Sequence, residues 1–172
     1  MKFKLRPYQE EASKKAVEFF LDKKKNWNAL EVLPTASGKS LILADIAARL
    51  KDKVLVFSPT KEILEQNYKK YCSYGFDNAS IYSASFKSKE ISDVTFATIG
   101  SVKGHPELFT DFKYILIDEA HLVKPESGIY KEFLAKLKSK VIGLTATPFR
   151  LYSYQNYGSI LKFLTRSRDK IF

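Results

Sequence analysis

A single cysteine, Cys72, stands in the chain, so no intrachain disulfide can form, and that usage fits a reducing compartment. The N-terminus, Met1-Lys-Phe-Lys-Leu-Arg-Pro7, lacks the apolar core of a signal peptide. No apolar run reaches membrane-spanning length, so no membrane partner is expected. Acidic residues are in the minority, 19 Asp and Glu against 29 Lys and Arg, for a net charge of +10. That excess points to a polyanionic partner, with a lysine-rich solvated surface as the bland alternative. The lysines are spread along the chain (Lys23-Lys24-Lys25, Lys51, Lys53, Lys69, Lys70, Lys136, Lys138, Lys140), so the sequence marks no single patch.

What is present is enough for one domain with a real core: 172 residues, 45% of them hydrophobic. A helix is expected from Pro7, a favoured first-turn residue, to about Leu21, with Ala12, Ala16, Phe19 and Phe20 on one face. Short apolar runs follow at Ala29–Leu33, Val54–Phe57, Val94–Thr98, Tyr114–Ile117 and Val141–Thr145, with a weaker one at Ala79–Tyr82. Between them lie helical patterns at Leu41–Leu50, Lys61 to about Tyr74 (Gly75 ending it), Ile99–His105 and Ile129–Leu137. Ser83–Ser92 is polar and reads as an exposed loop. Strands apolar on both faces and alternating with helices indicate an α/β fold, a mainly parallel central sheet with helices on both faces. Ligands then bind at the carboxyl ends of the strands. Pro34, Pro59 and Pro148 mark three such ends, and Gly38, Thr60, Thr98, Asp118 and Thr145 all fall there.

The first of these ends carries Pro34-Thr35-Ala36-Ser37-Gly38-Lys39-Ser40, between an apolar strand and a helix. Backbone N–H groups and the helix dipole converge there on one spot, which suits a polyphosphate. Gly38 permits close approach, Lys39 reaches the terminal phosphates, and Ser40 can ligate Mg²⁺. The match to a full phosphate-loop pattern is partial, because Leu33 stands where that pattern has glycine. Asp118-Glu119-Ala120-His121 leaves the Tyr114–Ile117 run. Asp118 suits a water-mediated Mg²⁺ contact, and Glu119 is placed to polarise an attacking water. The bland alternative is two acids and a histidine ending a strand in solvent.

Taken together, these stretches resemble the superfamily 2 helicases and translocases, with motifs in that family's order over residues 5 to 150. Arg6-Pro-Tyr-Gln9 resembles the adenine-reading motif and Pro34–Ser40 motif I, where the family more often has Gly at Ala36. Leu55–Thr60, Phe96–Ser101, Asp118–His121 and Thr145–Pro148 resemble motifs Ia, Ib, II and III. The resemblance implies a RecA-like phosphate-loop fold and ATP with Mg²⁺. By it, Gln9, Arg6, Thr35, Ala36, Ser37, Gly38, Lys39, Ser40 and His121 form the nucleotide site. Lys39, Asp118 and Glu119 are implied for catalysis, and Ser40 and Asp118 for the metal. Pro59, Thr60, Thr98 and Ser101 are implied for a nucleic-acid strand. Thr145 and Thr147 are implied to couple the site to a partner lobe, a link His121 joins.

That family has two RecA-like lobes, and no second-lobe motif or arginine finger is seen here. Residues 1–150 therefore read as the first lobe and 151–172 as the start of a connection to the second, within a longer protein. Arg-Pro-Tyr-Gln with Thr-Ala-Thr-Pro-Phe-Arg is most like the DNA-repair and restriction branch, which includes UvsW-like phage and XPB-like helicases. DNA is then the expected partner, in the cytoplasm or at the nucleoid, or in a host cell's cytoplasm if the chain is phage-encoded. An RNA helicase or sensor, a phosphate-loop protein with no nucleic-acid role and a non-catalytic binding module stand as alternatives.

Overall fold

A computed structural model describes residues 4–123 and 128–147 and the two-residue strand 162–163. The elements are α1 (Pro7–Leu21), β1 (Ala29–Val32), α2 (Lys39–Arg49), β2 (Val54–Phe57), α3 (Lys61–Cys72), β3 (Ala79–Ser83), β4 (Ser88–Lys89), β5 (Val94–Ala97), α4 (Ile99–Val102), β6 (Tyr114–Ile117), α5 (Ile129–Ala135), β7 (Lys140–Thr145) and β8 (Lys162–Phe163). The strands form one eight-stranded sheet in the order β4-β3-β5-β2-β6-β7-β1-β8. Every pairing is parallel except β3 with β4.

Alternation along the strands divides the interior into two cores. Ala29, Val54, Val56, Val94, Phe96, Leu116, Ile142 and Leu144 face α1, α2 and α3, meeting Phe19, Phe20, Ile42, Ile46, Leu64 and Tyr71. Leu30, Leu55, Phe57, Ile115, Ile117 and Val141 point the other way, onto Val102 of α4, Phe109, Phe112 and Phe133 of α5. The expected α/β sheet covered by helices on both faces is what the chain adopts.

Two expectations need correction. Ser83–Ser92 is not simply a loop: it contains a 3₁₀ turn at Ala84–Phe86 and strand β4, which pairs Tyr82 with Lys89 and Ser83 with Ser88. A two-residue strand has no periodicity to read, so only the pairing reveals it. The helix expected at Ile99–His105 closes at Val102, and a second 3₁₀ turn spans Pro106–Phe109. The motif residue Pro148, and Arg150, Arg166 and Arg168 beyond it, lie outside the described residues.

The ladder continues one hydrogen bond past the carboxyl ends of the site strands. Leu33 N donates to Thr145 O at 2.8 Å, Ser58 N to Ala97 O at 3.1 Å and Asp118 N to Phe57 O at 2.9 Å. These bonds bring the Pro34–Ser40 loop, Ser58 and Asp118 to one edge of the sheet. Strand β7 lies between β1 and β6, so Thr145 sits between the loop and Asp118.

Candidate nucleotide site and nucleic-acid face

The loop between β1 and α2 is shaped by two left-handed residues, Ala36 at φ 60° and Gly38 at φ 79°. Gly38 is the N-cap of α2, so its carbonyl receives the N–H groups of Leu41 at 2.8 Å and Ile42 at 3.2 Å. Thr35 and Ala36 are exposed, Gly38, Lys39 and Ser40 half-buried, and Ser37 buried. The Ser37 hydroxyl is buried with no hydrogen-bond partner among the described residues. An unpartnered hydroxyl, a cation and the start of an eleven-residue helix converge at this loop, which fits a polyphosphate.

Helix α1 holds the loop from behind. Gln9 is 4% exposed. Its Nε2 donates to Ser37 O at 2.7 Å, and its Oε1 accepts from Arg6 N at 2.9 Å. The Tyr8 hydroxyl donates to the same Ser37 carbonyl at 3.0 Å. The residue expected at an adenine edge thus spends one amide hydrogen and one lone pair on the loop and its own helix cap; Arg6 is exposed beside it.

Opposite the loop, Asp118 ends β6. It is 5% exposed, its Oδ1 accepting from Glu119 N at 2.9 Å and its Oδ2 from Asn67 Nδ2 at 2.9 Å. Burial pushes its carboxyl above the usual carboxylate range, against the Asn67 hydrogen bond, which favours the charged form. Glu119 takes a left-handed backbone, φ 50° and ψ 49°, an uncommon conformation for a side-chain-bearing residue. That twist aims its carboxylate back across the sheet edge. Oε1 lies 3.7 Å from Lys39 Nζ and Oε2 3.3 Å from His121 Nδ1.

His121 reaches further, with Nδ1 3.1 Å from Thr145 Oγ1. The Thr145 hydroxyl donates to Thr147 O at 3.0 Å and accepts from Thr147 N at 3.1 Å. A proton on Nδ1 would serve both Glu119 Oε2 and Thr145 Oγ1. Lys39, Glu119, His121, Thr145 and Thr147 form one continuous chain of contacts across β1, β6 and β7. Among the described residues no cluster of three His, Cys, Asp or Glu could hold a metal. The donor set here, Ser40 and Asp118, suits an ion such as Mg²⁺ that keeps several waters and takes phosphate oxygens.

The implied nucleic-acid residues gather beyond β2 and β5. Thr60 caps α3, its Oγ1 accepting from Ile63 N at 3.4 Å, and half-buried Pro59 precedes it. Thr98 Oγ1 and Ser101 Oγ are 2.9 Å apart, and Ser101 Oγ accepts from Ala84 N at 3.0 Å. That bond draws in the Ala84–Phe86 turn, where Lys61 Nζ lies 5.0 Å over the Phe86 ring. Lys61, Lys87 and Lys103 are all exposed. Sequence reasoning missed this turn. It also did not single out Asn67; a polar residue buried on the same face of α3 as Leu64 and Tyr71 was the signal.

Known proteins bear on this geometry. A family model described as type III restriction enzyme, res subunit, matches residues 2–150, and the chain belongs to that family. A curated relative, a DNA 3'-5' translocase XPB2 of Sulfurisphaera tokodaii, is 30% identical over 152 residues, covering 87% of this chain and 32% of that protein. The chain thus spans about a third of the relative's length. The UvsW helicase from bacteriophage T4 superposes with a TM-score of 0.65 at 24% identity, over 85% of this chain and 54% of that one. The SWI2/SNF2 ATPase core of Sulfolobus solfataricus, solved with dsDNA, gives 0.65 at 22% identity, over 86% and 33%. The fold is the N-terminal RecA-like lobe of superfamily 2 helicases, and the domain is of the helicase and translocase ATPase type.

Proposed function

We propose, from membership of the type III restriction enzyme res-subunit family, that this chain is the ATP-binding motor lobe of a DNA-dependent ATPase, a helicase or translocase. The observation that carries the reading is the junction of Lys39 and Glu119, 3.7 Å apart, which joins the phosphate loop to the Asp118 strand end. Lys39 binds the terminal phosphates of ATP through its ammonium, and the loop N–H groups and the Ser37 hydroxyl complete the cradle. Ser40 and Asp118 would hold Mg²⁺, Asp118 through water. The ion, when bound, neutralises phosphate charge. Glu119 orients the attacking water and takes its proton. Gln9 keeps an amide hydrogen and a lone pair for the adenine edge.

Pro59, Thr60, Thr98 and Ser101, with Lys61, Lys87 and Lys103, bind the phosphate backbone of one strand. Such contacts carry little sequence information. Thr145 and Thr147, reached from Glu119 through His121, couple the nucleotide site to a second RecA-like lobe. The relative's description as a DNA translocase favours DNA over RNA. The test is steady-state ATP hydrolysis by the longest form of the protein, with matched single-stranded DNA and RNA. DNA is expected to raise the rate. Stimulation by RNA alone would favour the RNA reading, and a rate unmoved by either would contradict the motor reading.

A further inference from the structure

Among the described residues, Asn67 is the one side chain that hydrogen-bonds both the candidate metal carboxylate and the strand end leading to the nucleic-acid face. Its Nδ2 donates to Asp118 Oδ2 at 2.9 Å and to Ser58 Oγ at 3.0 Å. Asn67 and Ser58 are each 1% exposed, so water does not compete for these bonds. The arrangement carries a cost, because Asn67 Oδ1 is buried with no hydrogen-bond partner among the described residues. A flip of the amide would not relieve it: the oxygen would then face the Asp118 carboxylate, acceptor against acceptor. A buried, unsatisfied acceptor is uncommon and calls for a reason. Asn67 stands two helical turns after Thr60, the cap of α3 and a candidate backbone contact. Ser58, its other partner, immediately precedes Pro59 and Thr60. The amide thus ties the start of α3 to the carboxylate.

We propose that Asn67 is a positioning residue: it sets the direction of the Asp118 carboxylate and makes that direction depend on where α3 sits. A strand bound at Thr60 would bear on α3, and through Asn67 on the metal position. This rests on the proposed function, since it presumes that Asp118 holds Mg²⁺ and that Thr60 meets nucleic acid. Hydrogen-bond donors to ligating carboxylates typically matter 10- to 100-fold in metal affinity. Of the two oxygens of Asp118, Oδ1 is held by backbone and Oδ2 by Asn67, so the loss of Asn67 frees one side only.

The experiment uses this chain and its Asn67→Ala, Asn67→Leu and Gln66→Ala variants. Gln66 is exposed on the same helix and serves as the control. A fluorescent ATP analogue is titrated without metal, and then Mg²⁺ is titrated at fixed analogue, each with and without single-stranded DNA. Thermal melting reports folding. In the parent and in Gln66→Ala, DNA should shift the apparent Mg²⁺ affinity. In both Asn67 variants Mg²⁺ should bind about 10- to 100-fold more weakly, metal-free analogue binding should be unchanged, and the DNA shift should vanish. Leu fills the space of Asn without a donor, so an Asn67→Leu chain with the parent's Mg²⁺ affinity and DNA shift would overturn the proposal. Equal weakening of metal-free binding would also overturn it, as a general packing defect. A parent chain with no Mg²⁺-dependent binding at all would instead contradict the proposed function.

Discussion

The side-chain amide of Gln9 occupies the place where a Cβ on Gly38 would have to be: an added Cβ would lie 2.5 Å from Nε2. Helix α1 and the phosphate loop are therefore fitted to each other at a position that favours glycine. Gly38 at φ 79° also needs glycine for its backbone. Gly38→Ala should push Gln9 off Ser37 and destabilise the fold by roughly 1–3 kcal/mol, combining left-handed strain with the lost contact. Urea unfolding measures it, and a variant as stable as the parent would refute the fit.

Ala36 presents the opposite case. It sits at φ 60° and is exposed, so its methyl costs backbone strain and contributes no packing. Ala36→Gly should keep nucleotide binding and be neutral or stabilising by up to about 1 kcal/mol, the strain relieved offset in part by unfolded-chain entropy. Loss of stability beyond that range would show that the methyl makes contacts the fold needs.

The two acids at the end of β6 should separate by role. Glu119→Gln should bind ATP with Mg²⁺ and fail to hydrolyse it, whereas Asp118→Ala should lose the Mg²⁺ dependence of binding. Equal loss of binding in both would contradict the assignment. Because Glu119 also lies between Lys39 and His121, its neutral variant should weaken that brace without opening the loop.

Glu31 sets a pH dependence away from the site. It lies in β1 with Oε2 buried and without a hydrogen-bond partner among the described residues, and burial pushes its carboxyl from 4.5 up to about 8, Lys15 pulling the other way. A carboxyl raised in the folded state holds a proton there that the unfolded chain has already released. Its contribution to stability is therefore full below about pH 4.5 and is lost as pH rises towards 8, at about 1.4 kcal/mol per pH unit. Glu31→Gln should remove that slope and be more stable than the parent at pH 8. Unfolding free energies at pH 5 and pH 8 decide it; equal slopes in both chains would mean that Glu31 is ionised in the folded state.

Much of this was legible in sequence where local patterning and tertiary context agree. Val54–Phe57 and Tyr114–Ile117 are apolar at every position, and both are central strands buried on two faces. Lys39, Asp118 and Glu119 could be named because a strand end in a parallel sheet has a known address. What escaped depends on partners distant in the chain. Asn67 meets Asp118 across 51 positions, and Gln9 meets Ser37 across 28, so neither contact has a local signature. Glu31 sat inside an apolar run, and nothing in the run says that its Oε2 is buried with no hydrogen-bond partner among the described residues. Strand β4 exists only through its pairing with β3.

The central claim is that Pro34–Ser40 and Asp118–Glu119 make one ATP·Mg²⁺ site, and calorimetric titration of ATP into this chain tests it most directly. The parent should bind ATP in Mg²⁺ and lose affinity when Mg²⁺ is chelated. Lys39→Ala should lose most of the binding while melting at the parent's temperature, since Lys39 opens α2 and lies outside both cores. A Lys39→Ala chain that binds ATP as tightly as the parent, or a folded parent that binds none, would contradict the account.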